Sequence, residues 1–226
     1  MGALPSTACV PCYAAADSQD YQTRGVNRTQ QIAPTDKTVP SYISSTNFPY
    51  FTMTEHKKST IRKHFAATLK AQRPDIFHKT MLMCIQSSPK LNEIIACQMY
   101  CYRDLTKWPK LNKLSQAQFD FFERLVEQYH LDSMAVSEAA YQMGIVHYRY
   151  AEYGLKPHFL DLWRQHLETL IQKLKFDNPE EQAEFCEAFR ELMRFVAETM
   201  HLAYIRSHQQ SADVKATEKS EPEIIK

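Results

Sequence analysis

Residues 143–147 read Met-Gly-Ile-Val-His, and residues 154–159 read Gly-Leu-Lys-Pro-His-Phe. They place a histidine at the end of one amphipathic helix, then a short turn that contains glycine, then a helix that begins at proline. The chain has only 4 glycines, and two of them flank His147. Because glycine adopts left-handed backbone angles and lets backbones approach closely, we expect a tight turn or close packing on both sides of this histidine.

The composition of the 226-residue chain favours helices. Hydrophobic residues make up 44%, with 12 Phe, 12 Tyr and 9 Met, whereas glycine is scarce. This is enough apolar material for one good core built from helices rather than from a β-sandwich or barrel. The net charge of +1 gives no overall indication of a nucleic-acid or anionic partner. No apolar run approaches the roughly 20 residues that a membrane-spanning helix needs.

The cysteines show no dense, regular spacing, which favours reduced thiols in an intracellular protein. They are Cys9, Cys12, Cys84, Cys97, Cys101 and Cys186. Cys9 and Cys12 form a Cys-x-x-Cys pair, the spacing of some zinc and redox sites. Neither a second pair at zinc-finger spacing nor a surrounding βαβ pattern accompanies it, so a reduced pair in a polar arm is the better interpretation.

Three regions differ in composition along the chain. Residues 1–50 are rich in Ser, Thr, Pro, Gln and Asp without a sustained hydrophobic period, which predicts a disordered arm. Residues 208–226 are polar and charged and predict a disordered, solvated tail. The intervening residues 51–207 have a normal single-domain size and predict one folded domain.

Helix start signals divide the first half of this domain into four helices. Thr52 and Glu55 form a capping-box pattern ahead of a helix over about 54–71. Pro74 predicts the start of a second helix, and Pro89 interrupts it and starts a short third one. A fourth helix, over about 113–130, has apolar residues at three-and-four spacing. They are Leu114, Phe119, Phe122, Leu125, Val126 and Tyr129.

The second half of the domain predicts three more helices. Asp132 or Ser133 caps a fifth helix that runs to about Tyr148, and Pro157 opens a sixth. Residues 178–181, Asn-Pro-Glu-Glu, combine a capping asparagine with proline at the first helical position, and start a long seventh helix. No segment alternates in the way a strand does, so the predicted fold class is all-α.

Helix order, lengths and punctuation from Thr54 to Ser207 resemble those of the globin family, above all the divergent globins of nematodes and other invertebrates. The resemblance implies a globin fold, with about seven helices around a pocket for haem b. Four stretches carry the resemblance. Residues 87–91 resemble the turn between the family's second and third helices, and residues 143–147 resemble the end of its proximal helix. Residues 154–159 resemble the start of the next helix, and residues 189–204 resemble its long last helix.

The resemblance implies that His147 is the proximal ligand to the haem iron. The alternative for His147 is a half-buried histidine that is satisfied by a neighbouring group. On the distal side, the family's usual spacing implies Gln118, whose amide can donate a hydrogen bond to bound dioxygen. A shift in register would replace Gln118 with Ala117 or Gln116, and Gln118 could also be a polar residue that faces solvent.

The resemblance also implies roles in the haem pocket for three further residues. Met81 falls over the distal ligand site and Phe122 closes the distal pocket, although both also suit plain core packing. Ile95 stands where the family nearly always has a phenylalanine that stacks on the haem, so we expect looser haem retention. The loop after His147 is also about three residues longer than the family's.

The N-terminus contains a second signal. Met-Gly-Ala-Leu-Pro-Ser at positions 1–6 fits the pattern for myristoylation of Gly2, and Cys9 and Cys12 could then accept palmitate. One myristoyl chain binds membranes only marginally, and a second chain makes the attachment stable. The alternatives are an unmodified polar arm and a signal peptide, and the latter lacks a basic start and an uninterrupted apolar stretch.

Together these expectations describe a haem-binding protein of the cytoplasm. If Gly2 is acylated, the lipid would hold the protein at the inner face of the plasma membrane. Its partners would be dioxygen or another diatomic ligand and an electron-transfer partner, without nucleic acid. Oxygen or redox sensing suits this arrangement better than bulk oxygen transport, and any enzymatic activity would be minor redox chemistry of the haem. The alternatives are a globin-fold interaction module that has lost haem and an unrelated helical bundle.

Overall fold

A computed structural model describes residues 48–96 and 109–218, all within one compact unit that begins at Phe48. These residues form helices and no strand, so the predicted all-α class is confirmed for them. The α-helices are α1 (Glu55–His64), α2 (Ile76–Ser87), α3 (Pro89–Ala96), α4 (Pro109–Glu123), α5 (Ser133–Tyr148), α6 (His158–Ile171) and α7 (Pro179–Glu218).

Three predicted helix starts are confirmed. α3 begins at Pro89. The Asp132 carboxylate accepts hydrogen bonds at 3.0 Å from the backbone N–H groups of Met134 and Ala135 and so caps α5. Asn178 accepts from the backbone N–H of Glu180 at 2.8 Å, and α7 begins at Pro179. The backbone N–H groups in the first turn of a helix have no partner within the helix. Asp132 and Asn178 accept hydrogen bonds from such groups, and proline at the first position has no N–H and already has a helical φ angle.

Two other starts differ from the prediction. The cap of α1 is Thr54 rather than Thr52, because the Thr54 hydroxyl accepts from the Lys57 backbone N–H at 3.4 Å. α4 begins at Pro109 rather than at about 113. Proline at the first position of a helix is favourable. The later start was predicted because the regular apolar spacing begins only after this first turn.

Two helices widen at their C-terminal ends. α1 continues as a π-helical segment over Phe65–Lys70, and α4 does so over Arg124–Gln128. After the second segment, His130 and Leu131 adopt positive φ angles of 50° and 59°, which end the helix and turn the chain into α5. Leu131 is fully buried, so core packing holds this unusual conformation in place.

α7 is the helix around which the others are arranged. It packs against α1, α5 and α6, while α2 packs against α3, α4 and α6. Along the α1–α7 contact, the Lys57 ammonium donates to the carboxylates of Glu187 and Glu191 at 2.8 and 2.7 Å. Such partly exposed ion pairs contribute little to stability, but their geometry favours one register of the two helices.

Aromatic rings fill the centre of the domain. Phe122 stacks on Phe77 with a centroid distance of 5.4 Å and lies 5.7 Å from Phe189. Phe189 in turn contacts Phe185 at 5.6 Å and Phe65 at 6.4 Å. All five rings are at most 2% exposed. This continuous cluster joins α1, α2, α4 and α7 into one core.

The segment before α1 is also part of the packed unit. Phe51 is fully buried against Phe195 of α7, at a centroid distance of 5.0 Å. Its backbone N–H donates to the Ser137 hydroxyl of α5 at 2.8 Å. The chain therefore enters the domain over α5 and α7.

The last helix is longer than expected. We predicted a disordered tail over 208–226, whereas α7 continues to Glu218, and residues 219–226 lie outside the described residues. No proline or glycine interrupts the sequence between Pro179 and Pro222, so nothing local stops the helix at Ser207. No helix within the described ranges combines the length and the apolar composition that a membrane crossing needs.

Candidate functional site

The close crossing of α5 and α7 sets the position of His147. The face of α5 that contains Val136, Ala140 and Gly144 is buried against α7. A Cβ atom built on Gly144 would lie 2.3 Å from the Met200 carbonyl oxygen and 2.7 Å from the Ala203 Cβ. Only glycine allows this approach, as the sequence predicted for one of the two glycines that flank His147.

The imidazole of His147 hydrogen bonds within its own helix. Its Nδ1 lies 2.8 Å from the carbonyl oxygen of Met143, one turn earlier in α5. A carbonyl oxygen only accepts, so Nδ1 carries the proton and donates it. In the neutral ring this leaves the lone pair on Nε2. Within the described residues, nothing else forms a hydrogen bond with this ring.

The protonation state of His147 follows from its surroundings. Burial of the ring lowers the pKa of His147 below its usual value, and the hydrogen bond to Met143 opposes this shift to a smaller extent. The ring is therefore neutral at physiological pH. A neutral imidazole with a fixed Nδ1–H is the form that binds a metal ion through Nε2.

A short turn, a left-handed glycine and one tertiary hydrogen bond shape the loop after His147. It contains a single 3₁₀ turn, Ala151–Tyr153, and then Gly154 at a φ of 91°. This φ angle lies in the left-handed region, which glycine adopts readily and which we expected at a glycine beside His147. The Tyr204 hydroxyl of α7 donates to the Leu155 carbonyl oxygen at 2.6 Å and ties the loop to the last helix.

Gln118 lies on the inner side of α4. It is half-buried, whereas the two register alternatives, Gln116 and Ala117, are exposed. The Gln118 side-chain oxygen accepts a hydrogen bond from the indole Nε1–H of Trp163 on α6 at 3.0 Å. Gln116 instead donates to Asp120 on the outer surface of the same helix, at 2.7 Å. Of the three candidates, Gln118 is the one that reaches toward another helix.

Phe122, Met81 and Ile95 lie around the same tryptophan. Phe122 stacks on Trp163 with a centroid distance of 5.9 Å and an interplanar angle of 22°. Met81 is buried in a cluster against which Ile95 and Trp163 also pack. Ile95 and Trp163 further contact a second cluster that includes Phe159 at the start of α6. The core-packing role of these side chains is therefore observed, and their role in a haem pocket stays a prediction.

Trp163 is the residue of this site that the sequence did not single out. It appears in the sequence only as one apolar residue of the sixth helix, yet it contacts Gln118, Phe122, Met81 and Ile95, or the clusters that contain them. The available signal was its rarity, because the chain has only 2 tryptophans. A large ring with one polar atom in mid-helix needs a hydrogen-bond acceptor nearby.

His147 stands apart from this group. Within the described residues, no hydrogen bond joins His147 to Gln118, and α4 and α5 touch each other at most marginally. Leu155, in the loop after His147, packs against the cluster of Phe159, and Met143 packs against the core cluster that contains Phe122. The two helices that carry the candidate proximal and distal residues are thus held by other helices rather than by one another.

Burial raises the pKa of the Cys84 thiol to about 12, which keeps this thiol protonated and unreactive. Gly2, Cys9 and Cys12, the candidate lipidation residues, lie outside the described residues, as do Cys97 and Cys101. No family model matches the chain, and no curated protein matches it significantly.

Proposed function

We propose that this chain is a globin that binds haem b through His147 and carries Gln118 on the distal side. The observation that supports it most is the hydrogen bond from His147 Nδ1 to the Met143 carbonyl oxygen at 2.8 Å. This bond fixes both the tautomer and the ring orientation, and directs the Nε2 lone pair away from the helix. Metal-ligating histidines are typically held in this way by their other nitrogen.

A flat, apolar group needs apolar walls. Met143, Ile95 and Trp163 are apolar and only half-buried, and α4 and α5 share at most marginal contact. A haem iron bound to His147 would supply reversible binding of a diatomic ligand and one-electron redox chemistry. The chain would supply the axial imidazole, the apolar walls and a distal amide. This favours dioxygen binding or redox sensing in the cytoplasm.

The test is the absorption spectrum of the purified chain, ferric and dithionite-reduced, with and without added haemin. We expect a sharp Soret band in the wild type, and its loss or displacement in His147→Ala. His158→Ala is the matched control, because His158 is an exposed histidine at the start of α6. External imidazole should restore the band in His147→Gly. Equal haemin uptake by the wild type and His147→Ala would overturn the proposal.

A second candidate function is a helical interaction module that has lost haem. Ile95 favours it, because an aliphatic side chain stands where the resemblance implies a haem-stacking ring. For this function, His147→Ala would leave both stability and partner binding unchanged. For a haem protein, the same change would lower the midpoint of thermal unfolding in the presence of haemin, since the bound ligand stabilises only the folded state.

Attachment to the inner face of the plasma membrane is part of the proposal. It depends on Gly2, with Cys9 or Cys12 as the second acylation site. Intact-mass measurement of the protein from a eukaryotic host tests it directly. We expect a myristoyl adduct that Gly2→Ala removes, together with a shift from the membrane to the soluble fraction.

A further inference from the structure

A groove of about 360 Å³ lies on the surface between α6 and α7. Its floor is apolar, and its rim carries exposed charged or polar side chains. The floor is formed by Leu160 on α6 and by Ala197, Leu202 and Ile205 on α7, and the rim by Asp161, Glu198 and His201. Ile205 is 38% exposed, and among the large apolar side chains in the described ranges only Tyr50 and Met134 are more exposed. A partner that covers such a side chain removes apolar surface from water.

The groove follows one face of α7 for slightly more than two turns. Ala197, His201 and Ile205 recur at every fourth position, and at 1.5 Å per residue they extend over about 12 Å. This length suits a short segment of a partner rather than the broad surface of a globular domain.

The backbone along the groove is already hydrogen bonded. The Leu160 N–H donates to the Pro157 carbonyl oxygen at 2.9 Å, and residues 197–205 lie in the interior of α7, where each N–H bonds to a carbonyl oxygen one turn earlier. A peptide that binds as an added strand needs free backbone groups on its partner, and the described backbone of this groove offers none. The occupant must therefore satisfy its own backbone hydrogen bonds, as a helix does.

The rim of the groove has negative charge without a counter-charge. Within the ranges that the structure describes, neither Asp161 nor Glu198 forms an ion pair or a side-chain hydrogen bond. Arg164, one turn after Asp161, pairs with Glu168 instead, at 3.8 Å. Arg194, one turn before Glu198, is exposed and does not line the groove. Lysine or arginine side chains of a partner would complement both carboxylates.

We propose that this groove is a docking site for an amphipathic helix of a partner protein, with apolar residues along one face and Lys or Arg beside them. The apolar face would cover Leu202 and Ile205, and the cations would lie next to Asp161 and Glu198. An interface of this size binds weakly and reversibly. The inference does not rest on the proposed haem function, because no residue of the groove is a candidate haem contact.

The probe is a synthetic helical peptide built from leucine and lysine at amphipathic spacing. The same peptide with glutamate in place of lysine is its matched control. Fluorescence anisotropy of the labelled peptides measures binding to the full chain, and a ¹H–¹⁵N spectrum locates the contact. We expect the leucine–lysine peptide to bind, to shift the amide signals of residues 197–205, and to bind more weakly as salt is raised. The leucine–glutamate peptide should not bind.

Substitutions separate the apolar contact from the charge. Ile205→Ser should weaken binding of the leucine–lysine peptide about fivefold or more, because it removes apolar surface that the helix would cover. Met134→Ser changes a similarly exposed apolar side chain on α5 and should leave binding unchanged. Glu198→Lys should weaken binding of this peptide about tenfold and strengthen binding of the leucine–glutamate peptide, because it replaces attraction with repulsion. Glu138→Lys, at an exposed position of α5, is the control for charge.

Three results would overturn the inference. The first is a chain that binds neither peptide, or binds both equally, since the carboxylates would then contribute nothing. The second is an equal effect of the groove and control variants, which would show non-specific binding to the surface. The third is self-association that Ile205→Ser abolishes, measured by sedimentation equilibrium of the chain alone, which would assign the groove to a second copy of this chain. All substituted positions are exposed, so the variants should keep the circular dichroism spectrum of the wild type.

Discussion

Gly144 and Met200 bring the backbones of α5 and α7 into direct contact, with 2.3 Å between the Met200 carbonyl oxygen and the position of a Cβ atom on Gly144. The contact involves backbone atoms, so no side-chain movement can relieve a clash. Gly144 lies one turn before His147, and any displacement of α5 here moves that imidazole.

Gly144→Ala should therefore destabilise the domain by about 1–3 kcal/mol, as overpacking of a core does. Urea unfolding followed by circular dichroism measures this difference. Gln142→Ala, at an exposed position of the same helix, is the control and should stay within about 0.5 kcal/mol of the wild type. Equal midpoints for both variants would mean that α5 and α7 are not in backbone contact.

Tyr204→Phe removes the hydroxyl that donates to the Leu155 carbonyl oxygen at 2.6 Å. We expect a loss of about 0.5–1.5 kcal/mol in unfolding free energy, and faster amide exchange in the loop 149–156. Tyr148→Phe keeps the edge-to-face ring contact with Tyr204 at 5.5 Å and serves as the control. Protection of the loop that survives Tyr204→Phe would contradict a role for this bond in ordering it.

His64 makes stability depend on pH. Burial of the ring, chiefly, and the nearby Lys63 lower the pKa of His64 below its usual 6.5, while Glu181 opposes the shift. The unfolded chain therefore binds a proton at a higher pH than the folded one does, and stability falls as the pH drops below about 6.5, until the folded histidine is protonated too.

Urea unfolding at several pH values tests this behaviour. His64→Gln should lose less stability than the wild type between about pH 7 and pH 5, because it has no proton to take up. His56→Gln, an exposed histidine of the same helix, should follow the wild type. Identical pH profiles for wild type and His64→Gln would contradict the prediction.

Cys84 should resist alkylation in the native protein. A rise in its pKa from 9.0 to about 12 lowers the thiolate fraction at neutral pH by about three orders of magnitude. Mass spectrometry of peptides after iodoacetamide treatment should show that Cys186, which is less buried, is modified before Cys84. In urea the two should react alike. Labelling of Cys84 as early as Cys186 would contradict the prediction.

Local chemistry explains which parts of the fold the sequence predicted. Asp132, Asn178 and Pro89 act through neighbouring backbone groups, so their effect is visible within a few residues. Thr52 fits the capping-box pattern with Glu55, but the hydrogen bond from the Lys57 backbone N–H identifies Thr54 as the cap of α1, and the sequence pattern did not indicate this. The π-helical segments and the positive φ angles at His130 and Leu131 have no such local signature and depend on the packed core.

The candidate site also contains residues with a local sequence signal and residues whose contacts depend on the packing of distant helices. The prediction for His147 rests on the glycines on either side and the proline that follows, all of them local signals. The contact between Gln118 and Trp163 spans 45 positions, and it depends on how α4 and α6 cross. Sequence periodicity places each residue on an apolar face but does not pair two faces, which is why Trp163 was not recognised.

The pairing of the first and last helices has a consequence for biosynthesis. Lys57 meets Glu187 across 130 positions, and both α1 and α5 pack extensively against α7. At roughly 5–20 residues per second, a ribosome needs on the order of ten seconds to make the chain between these two contacts. For that interval the nascent helices expose their aromatic residues, so we expect the ribosome-bound chain to occupy a chaperone until α7 emerges from the exit tunnel.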